Sequence, residues 1–265
     1  MRLSIRHETA YRYDAPVHYS IQQLRLVPAS GSAQVVVRWD VHAPGRIDTA
    51  VDAYGNTVQT LVVTRPLSEM RIVVQGEVET VSLPEGRLQE GPGRIPLEHF
   101  TCATRLTEAD DAVRELAAAA APLDRPGALV DLACRIQERV AYSSGSTQVT
   151  STAAEVLALE RGVCQDHAHL FIACCRALGV PARYVSGYID PGDVPHAASH
   201  AWADAWVDEA GWISVDVTHG RYASGPYCRV AVGSDYGSAA PVRGMRVGGG
   251  VEAMTVDVHV GEANQ

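Results

Sequence analysis

Gly162-Val-Cys-Gln-Asp-His-Ala-His-Leu-Phe-Ile-Ala-Cys-Cys-Arg-Ala-Leu-Gly179 is the stretch on which the fold turns. Cys164, Ala168, Phe171, Ile172, Cys175 and Leu178 recur at helical spacing and share one face, so Cys164 opens a helix on its core-facing edge. The free backbone N–H groups and the positive dipole end of a helix N-terminus favour a thiolate over a thiol, which makes Cys164 a candidate nucleophile. An isolated cysteine at a helix start is ordinarily a small buried side chain, so a partner base decides between the two readings.

That base is supplied downstream. Ser199-His-Ala-Trp-Ala-Asp-Ala-Trp-Val207 alternates strictly, placing His200, Trp202, Asp204 and Trp206 on one strand face and Ala201, Ala203, Ala205 and Val207 on the other. Asp208-Glu-Ala-Gly211 is a turn, and Trp212-Ile-Ser-Val-Asp216 returns with Trp212, Ser214 and Asp216 sharing a face. His200 and Asp216 stand an even number of residues apart, so an even register brings them to one face and a one-residue slip separates them. Sequence leaves that register open. A carboxylate bound to one ring nitrogen would orient His200 to take the thiol proton and return it to a leaving amine. Cys164, His200 and Asp216 are therefore the expected catalytic groups of thiol acyl transfer.

Upstream of the cysteine, Thr152-Ala-Ala-Glu155 reads as a capping box whose helix is expected to end at Gly162, a natural left-handed cap. Leu129, Leu132, Ala133, Ile136 and Val140 form a second helical stripe, and Thr107-Glu-Ala-Asp110 resembles a capping box opening an Ala-rich helix. Before residue 82 the period changes to two. Alternation begins at Leu3, Ile5, His7, Thr9, Tyr11 and Tyr13, with further strands expected at 17–27, 34–42, 57–64 and 70–81, broken by turn chemistry such as Pro28-Ala-Ser-Gly31 and Tyr54-Gly-Asn56. These signals predict an α+β chain: an N-terminal β-sandwich over 1–81, a Pro- and Gly-rich linker over 82–100, and a catalytic core over 101–265. The final alternation of Met254, Val256, Val258 and Val260 is expected to pair with a sheet, the N-terminal one being the candidate.

Gly162-Val-Cys-Gln-Asp166, Ala182-Arg-Tyr-Val-Ser-Gly-Tyr188, Ser199-His-Ala-Trp202 and Gly211-Trp-Ile…Asp216 resemble the core motifs of bacterial transglutaminase-like enzymes. The β-rich first eighty residues resemble the N-terminal domain that accompanies that core, and Val230-Ala-Val-Gly-Ser-Asp-Tyr236 with Pro241-Val-Arg-Gly244 resembles the family's tail. The resemblance implies a papain-like core with its triad on Cys164, His200 and Asp216. Two positions depart from it: Val217-Thr218-His219 follows Asp216 where family members commonly read Asp-Pro-Thr-Asn, and His167 stands where an aromatic residue is more usual. Trp202, Tyr142 and His167 are the candidates for substrate contact, with the backbone N–H of Cys164 and Tyr142 as expected oxyanion donors.

Composition narrows the remaining choices. With 265 residues, 46% of them hydrophobic, the chain can bury a proper core, and a net charge of −9 argues against broad contact with nucleic acid or anionic membrane. The N-terminus alternates at once and lacks the apolar core of a signal peptide, so a cytoplasmic location is expected, with the six cysteines free in a reducing compartment. No apolar run approaches the ~18 residues that cross a bilayer. No phosphate loop or EF-hand loop is present, so no cofactor is implied. A zinc cluster drawn from Cys164, His167, His169, His196, His200 and His219 would lack a second paired half of recognised spacing, and no metal is expected. A non-catalytic binding module on the same fold is the other rival, since site residues and not fold decide function. The expected substrate is a peptide, a protein or a small amide. Water is favoured over an amine as acceptor, because the Pro- and Gly-containing loop over 190–199 reads as an open rim.

Overall fold

The computed structural model describes residues 1–190, 192 and 199–263; most of the loop over 190–199, His196 included, lies outside the described residues. Five strands come first: β1 (Arg2–Val27), β2 (Gln34–His42), β3 (Arg46–Val51), β4 (Thr57–Val63) and β5 (Leu67–Thr80). Helices α1 (Asp111–Ala118) and α2 (Pro126–Arg139) follow, then β6 (Ala141–Tyr142), α3 (Ala153–Leu159), β7 (Arg161–Gly162) and α4 (Cys164–Ala177). The last third holds β8 (Ala182–Ile189), β9 (Ser199–Val207), β10 (Gly211–Asp216), β11 (Arg221–Tyr222), β12 (Tyr227–Gly233), α5 (Tyr236–Ala239), β13 (Val242–Gly248) and β14 (Glu252–Glu262).

The α+β class holds. The N-terminal strands share one seven-stranded sheet in the order β2-β5-β1-β4-β3, with β13 and β14 also paired to β1. Its organiser is β1, whose first half lies between β5 and β14 and whose second half pairs with β4 and β13. Two expected strands are thus one, and the Arg12–Val17 register shift against β5 absorbs the interruption at Asp14-Ala-Pro16. Alternation works as the pattern requires: Leu3, Ile5, Tyr11, Tyr13, Leu24 and Leu26 are buried on the inner face. Half polar and almost wholly exposed, β3 at the sheet edge gave no such signal.

The second sheet runs β11-β10-β9-β8-β12, antiparallel throughout. One face buries Ala201, Ala203, Ala205 and Val207 against Ala168, Phe171, Ile172 and Cys175 of α4. Small residues on the strand let the helix approach closely. The other face carries the tryptophans, and Trp212 packs with Leu83, Leu88 and Phe100 from the 82–100 segment. That segment forms 3-10 turns at Pro84–Gly86 and Leu97–Thr101.

Two helix termini differ from expectation. α1 starts at Asp111, capped by Asp110, whose carboxylate accepts the Val113 N–H at 2.9 Å. Thr107 closes a 3-10 turn instead, and its buried hydroxyl accepts a bond from Arg176 at 2.7 Å. The Thr152–Glu155 capping box is formed, yet α3 ends at Leu159 and the left-handed cap is Glu160, at φ 55°. Gly162 serves another purpose: a Cβ there would sit 2.8 Å from Cβ of Asp166.

The two sheets are locked by side-chain amides acting as backbone mimics. Gln34 gives its Nε2 to the Arg229 carbonyl at 2.7 Å and accepts the Arg229 N–H at 2.8 Å. Asn56 repeats the pattern on Val232, at 2.7 and 2.8 Å. Both act on β12, which pairs only with β8 among the described strands, so its outer edge is capped.

Candidate active site

Cys164 is the first residue of α4 and is half-buried. Its own N–H has no intrahelical acceptor at that position, leaving a donor beside the sulfur. The entry to the helix is held by Asp166, whose Oδ2 accepts the Val163 N–H at 2.8 Å and the Thr147 hydroxyl at 2.6 Å. Burial pushes the Asp166 carboxyl upward against those bonds. Asp166 faces this turn, so it acts as the helix-start anchor.

His200 and Asp216 meet because the hairpin takes the even register. Trp212 lies opposite Trp206, Ser214 opposite Asp204 and Val215 opposite Ala203. His200 Nε2 donates to Asp216 Oδ2 at 2.9 Å, and the imidazole lines the same cleft as Cys164, close enough for the thiol to act on its protonation. Burial works against a charged imidazole here, but the bond to Asp216 and the charges of Asp216 and Cys164 outweigh it and raise His200 to about 10. Asp216 is fully buried and held well below the ordinary carboxylate range: burial opposes ionisation, and the bonds from His200 and His219 overcome it.

Sequence reasoning missed the rest of the carboxylate's surroundings. Asp216 Oδ2 also accepts His219 Nδ1 at 2.6 Å and the Tyr227 hydroxyl at 2.6 Å, while Oδ1 accepts the His219 backbone N–H at 3.2 Å. His219, at the departure from the family pattern, thus clamps the same carboxylate as His200, with ring centroids 5.3 Å apart. The departure itself was the available signal for His219. Nothing local announced Tyr227, which arrives from β12.

Three residues were expected to contact substrate. Tyr142 is half-exposed and close enough to Cys164 for the thiol's charge to act on it; burial first, then Cys164, raises its phenol. Trp202 is fully buried, donates Nε1 to Ser214 Oγ at 3.0 Å and stacks on His200 with centroids 6.2 Å apart. It backs the imidazole instead of lining the cleft. His167 is also buried, with Nδ1 on Thr218 Oγ1 and Nε2 on the Val140 carbonyl, each at 3.1 Å. Both ring nitrogens are spent on packing α4 against α2 and the loop after β10. Thr218 and His167, the two departures, are therefore partners.

Of the six groups considered for zinc, His196 lies outside the described residues, and His167 and His169 are bound elsewhere: His169 is buried and accepts the Tyr236 N–H through Nε2 at 3.1 Å. Among the described residues, His200, Asp216 and His219 alone bring three ligand-type atoms within 4.8 Å of one another. Their contacts are the donor–acceptor bonds given above.

Residues 111–217 match the transglutaminase-like superfamily, and residues 3–79 match the bacterial transglutaminase-like N-terminal region. The chain is 34% identical over 273 residues to an uncharacterized protein of Mycobacterium tuberculosis, covering 92% of this chain and 87% of that one. It is 30% identical over 275 residues to an uncharacterized protein of Mycobacterium leprae, covering 98% of each. The chain belongs to the bacterial transglutaminase-like superfamily. A stretch of 100 residues, 33% of this chain and 15% of the other, is 34% identical to a protein-glutamine gamma-glutamyltransferase of Pseudomonas aeruginosa. A solved structure from Cytophaga hutchinsonii, described as a candidate cysteine protease, aligns with 100% of this chain and 91% of its own at a TM-score of 0.80 and 22% identity, a likeness of fold.

Proposed function

We propose that this protein is a thiol acyl-transfer enzyme that cleaves an amide or peptide bond through a thioester on Cys164. The observation that carries the reading is the position of His200, which shares the cleft with Cys164 and is held through Nε2 by the buried Asp216. Cys164 passes its thiol proton to His200 and its sulfur attacks the carbonyl carbon, with the Cys164 N–H as oxyanion donor. His200 protonates the departing amine as the C–N bond breaks. Water then attacks the thioester, His200 takes its proton, the C–S bond breaks to release the acid, and the proton on His200 returns to the sulfur. Asp216 holds the ring orientation and balances the imidazolium.

A non-catalytic role for the same residues would leave a buried carboxylate, two histidines and a half-exposed thiol converging without use. Water is the acceptor we favour, because it far outnumbers any amine and Cys164 is half-open. The test is intact-mass trapping of an acyl-enzyme from a library of amides and peptides. A mass increment on the wild type that is absent from Cys164→Ala supports the reading, and turnover by folded Cys164→Ala defeats it. With millimolar primary amine present, free acid should remain the main product; predominant amide would reassign the enzyme to transamidation.

A further inference from the structure

We propose that the cleft in front of Cys164 is an apolar acyl-donor subsite with its outer wall built by the N-terminal sheet, so that the enzyme selects donors bearing a bulky aliphatic or aromatic side chain. The inference rests on the thiol reading above and adds to it a substrate class.

The cleft has a volume of about 300 Å³ and is lined from the core by Cys164, His200 and Tyr184, among others. Its opposite wall includes Thr9 and Tyr11 of β1 with Met254 and Val256 of β14. In the β1–β14 ladder Tyr11 pairs with Met254 and Thr9 with Val256, so these four side chains project together from one face. Further along the same face, Ile5, Val258 and Val260 pack on Tyr188, Cys228 and Val230 of the core. The sheet is therefore anchored at one end and stands off at the other. The gap opens onto the sulfur.

Two features say what fits there. Met254 and Val256 are 56% and 49% exposed, although the face they occupy is otherwise a packing face. A solvated strand face would carry polar residues at such positions. Of the chargeable wall groups Arg25 and His7, His7 is fully committed and Arg25 partly so. Arg25 gives its Nε to Asp52 at 3.3 Å, and His7 has Nδ1 on the Tyr188 hydroxyl and Nε2 on Thr9, with burial lowering it to about 4. No Asp or Glu lines the cleft among the described residues. A cationic donor would lose its water with no carboxylate to replace it, whereas an apolar one gains by burial.

The experiment uses the full chain and a set of chloromethyl ketones of N-acetylated leucine, phenylalanine, alanine, glutamate and lysine. In each, the thiolate sulfur displaces chloride and forms a thioether, and each rate is divided by that of free cysteine with the same reagent. The leucine and phenylalanine reagents should label Cys164 roughly tenfold or more faster than the alanine reagent, the scale of discrimination an apolar pocket provides. The lysine reagent should be slower still, since no carboxylate lines the cleft among the described residues. Met254→Asp should lower the leucine-to-alanine ratio by about tenfold, and the nearly isosteric Val256→Thr should lower it by less. Met245→Asp, at a position 62% exposed on β13 and outside the cleft, should leave the ratio alone. Preference for a charged reagent in the wild type, or an unchanged ratio in both cleft variants, would overturn the subsite. Iodoacetamide carries no side chain and isolates the thiol: labelling of Cys164 no faster than free cysteine would sink the acyl-transfer reading itself.

Discussion

At the scale of single residues, chemistry concentrates on a carboxylate that serves more than one histidine. If Asp216 orients His200, Asp216→Ala should lower kcat/KM by roughly 10²- to 10⁴-fold, the range of a positioned acid–base group. Cys164→Ala and His200→Ala should lose turnover altogether while their circular dichroism stays native. The raised His200 makes a further expectation about pH. His200 stays protonated until about pH 10, so the alkaline fall of kcat/KM should lie well above the ordinary histidine range. Asp216→Asn, which removes the charge but keeps the shape, should bring that limb down toward neutrality. His219 also bonds Asp216, so His219→Asn should move the same limb without abolishing turnover. A profile identical to the wild type would restrict His219 to packing.

Individual elements hold the site through a few buried polar side chains. On α4, Arg176 donates to the carbonyls of Phe100, Ala182 and Ser234 and to Thr107 Oγ1, tying the helix to four segments. Burial lowers its guanidinium to about 10, well above neutral pH, so the cation persists. Arg176→Leu should cost at least about 3 kcal/mol, because three carbonyls lose their donor in a dry interior. Chemical denaturation reads this directly, and a loss below about 1 kcal/mol would mean that water replaces the guanidinium. β14 pairs with β1 from Leu3 to Tyr13 and places Val258 and Val260 on the core. Truncation after Gly250 should therefore lower solubility and melting temperature, because it bares the β1 edge and an apolar face. An equally stable, equally soluble truncated chain would make the strand dispensable.

For the whole molecule, protonation of buried histidines governs how the assembly of two sheets responds to pH. His7 joins the N-terminal sheet to Tyr188 of the core and is lowered to about 4 by burial, with Asp257 partly opposing; His169 is lowered to about 4 by the same cause. The unfolded chain protonates these rings near 6.5, so between about 6.5 and 4 it binds more protons than the native state and stability falls as pH falls. His200 has the opposite sign. Its contribution is complete below about 6.5 and is lost as pH rises through about 10. Melting temperature should peak near pH 6.5, and His7→Gln should flatten the acid side; a curve level from pH 4 to 7 would contradict the burial of these rings. The Asn56 clamp on Val232 adds a test of docking. Asn56→Ala leaves an N–H and a carbonyl of β12 without that partner and should cost roughly 1–3 kcal/mol.

Much of this protein was legible in local pattern. Helical spacing from Cys164 to Leu178 and strict alternation from Ser199 to Val207 are properties of neighbouring residues, and they determined by themselves that the cysteine opens a helix and that His200 shares a strand face with Trp202. Where a competing local role existed, pattern misplaced a boundary: Gly162 reads as a cap, but Glu160 takes the left-handed turn and Gly162 makes room for Asp166. Only the tertiary structure decided the hairpin register that joins His200 to Asp216, because period-two alternation looks the same from either parity of pairing until a packed core selects one. It also decided that Tyr227 and His219 complete the carboxylate's bonds, and that Trp202 and His167 are consumed by packing. The cleft wall is the extreme case. Alternation announced the terminal strand and its pairing to a sheet, but the register that sets Tyr11 opposite Met254, with both lining the cleft of Cys164, was decided by long-range burial.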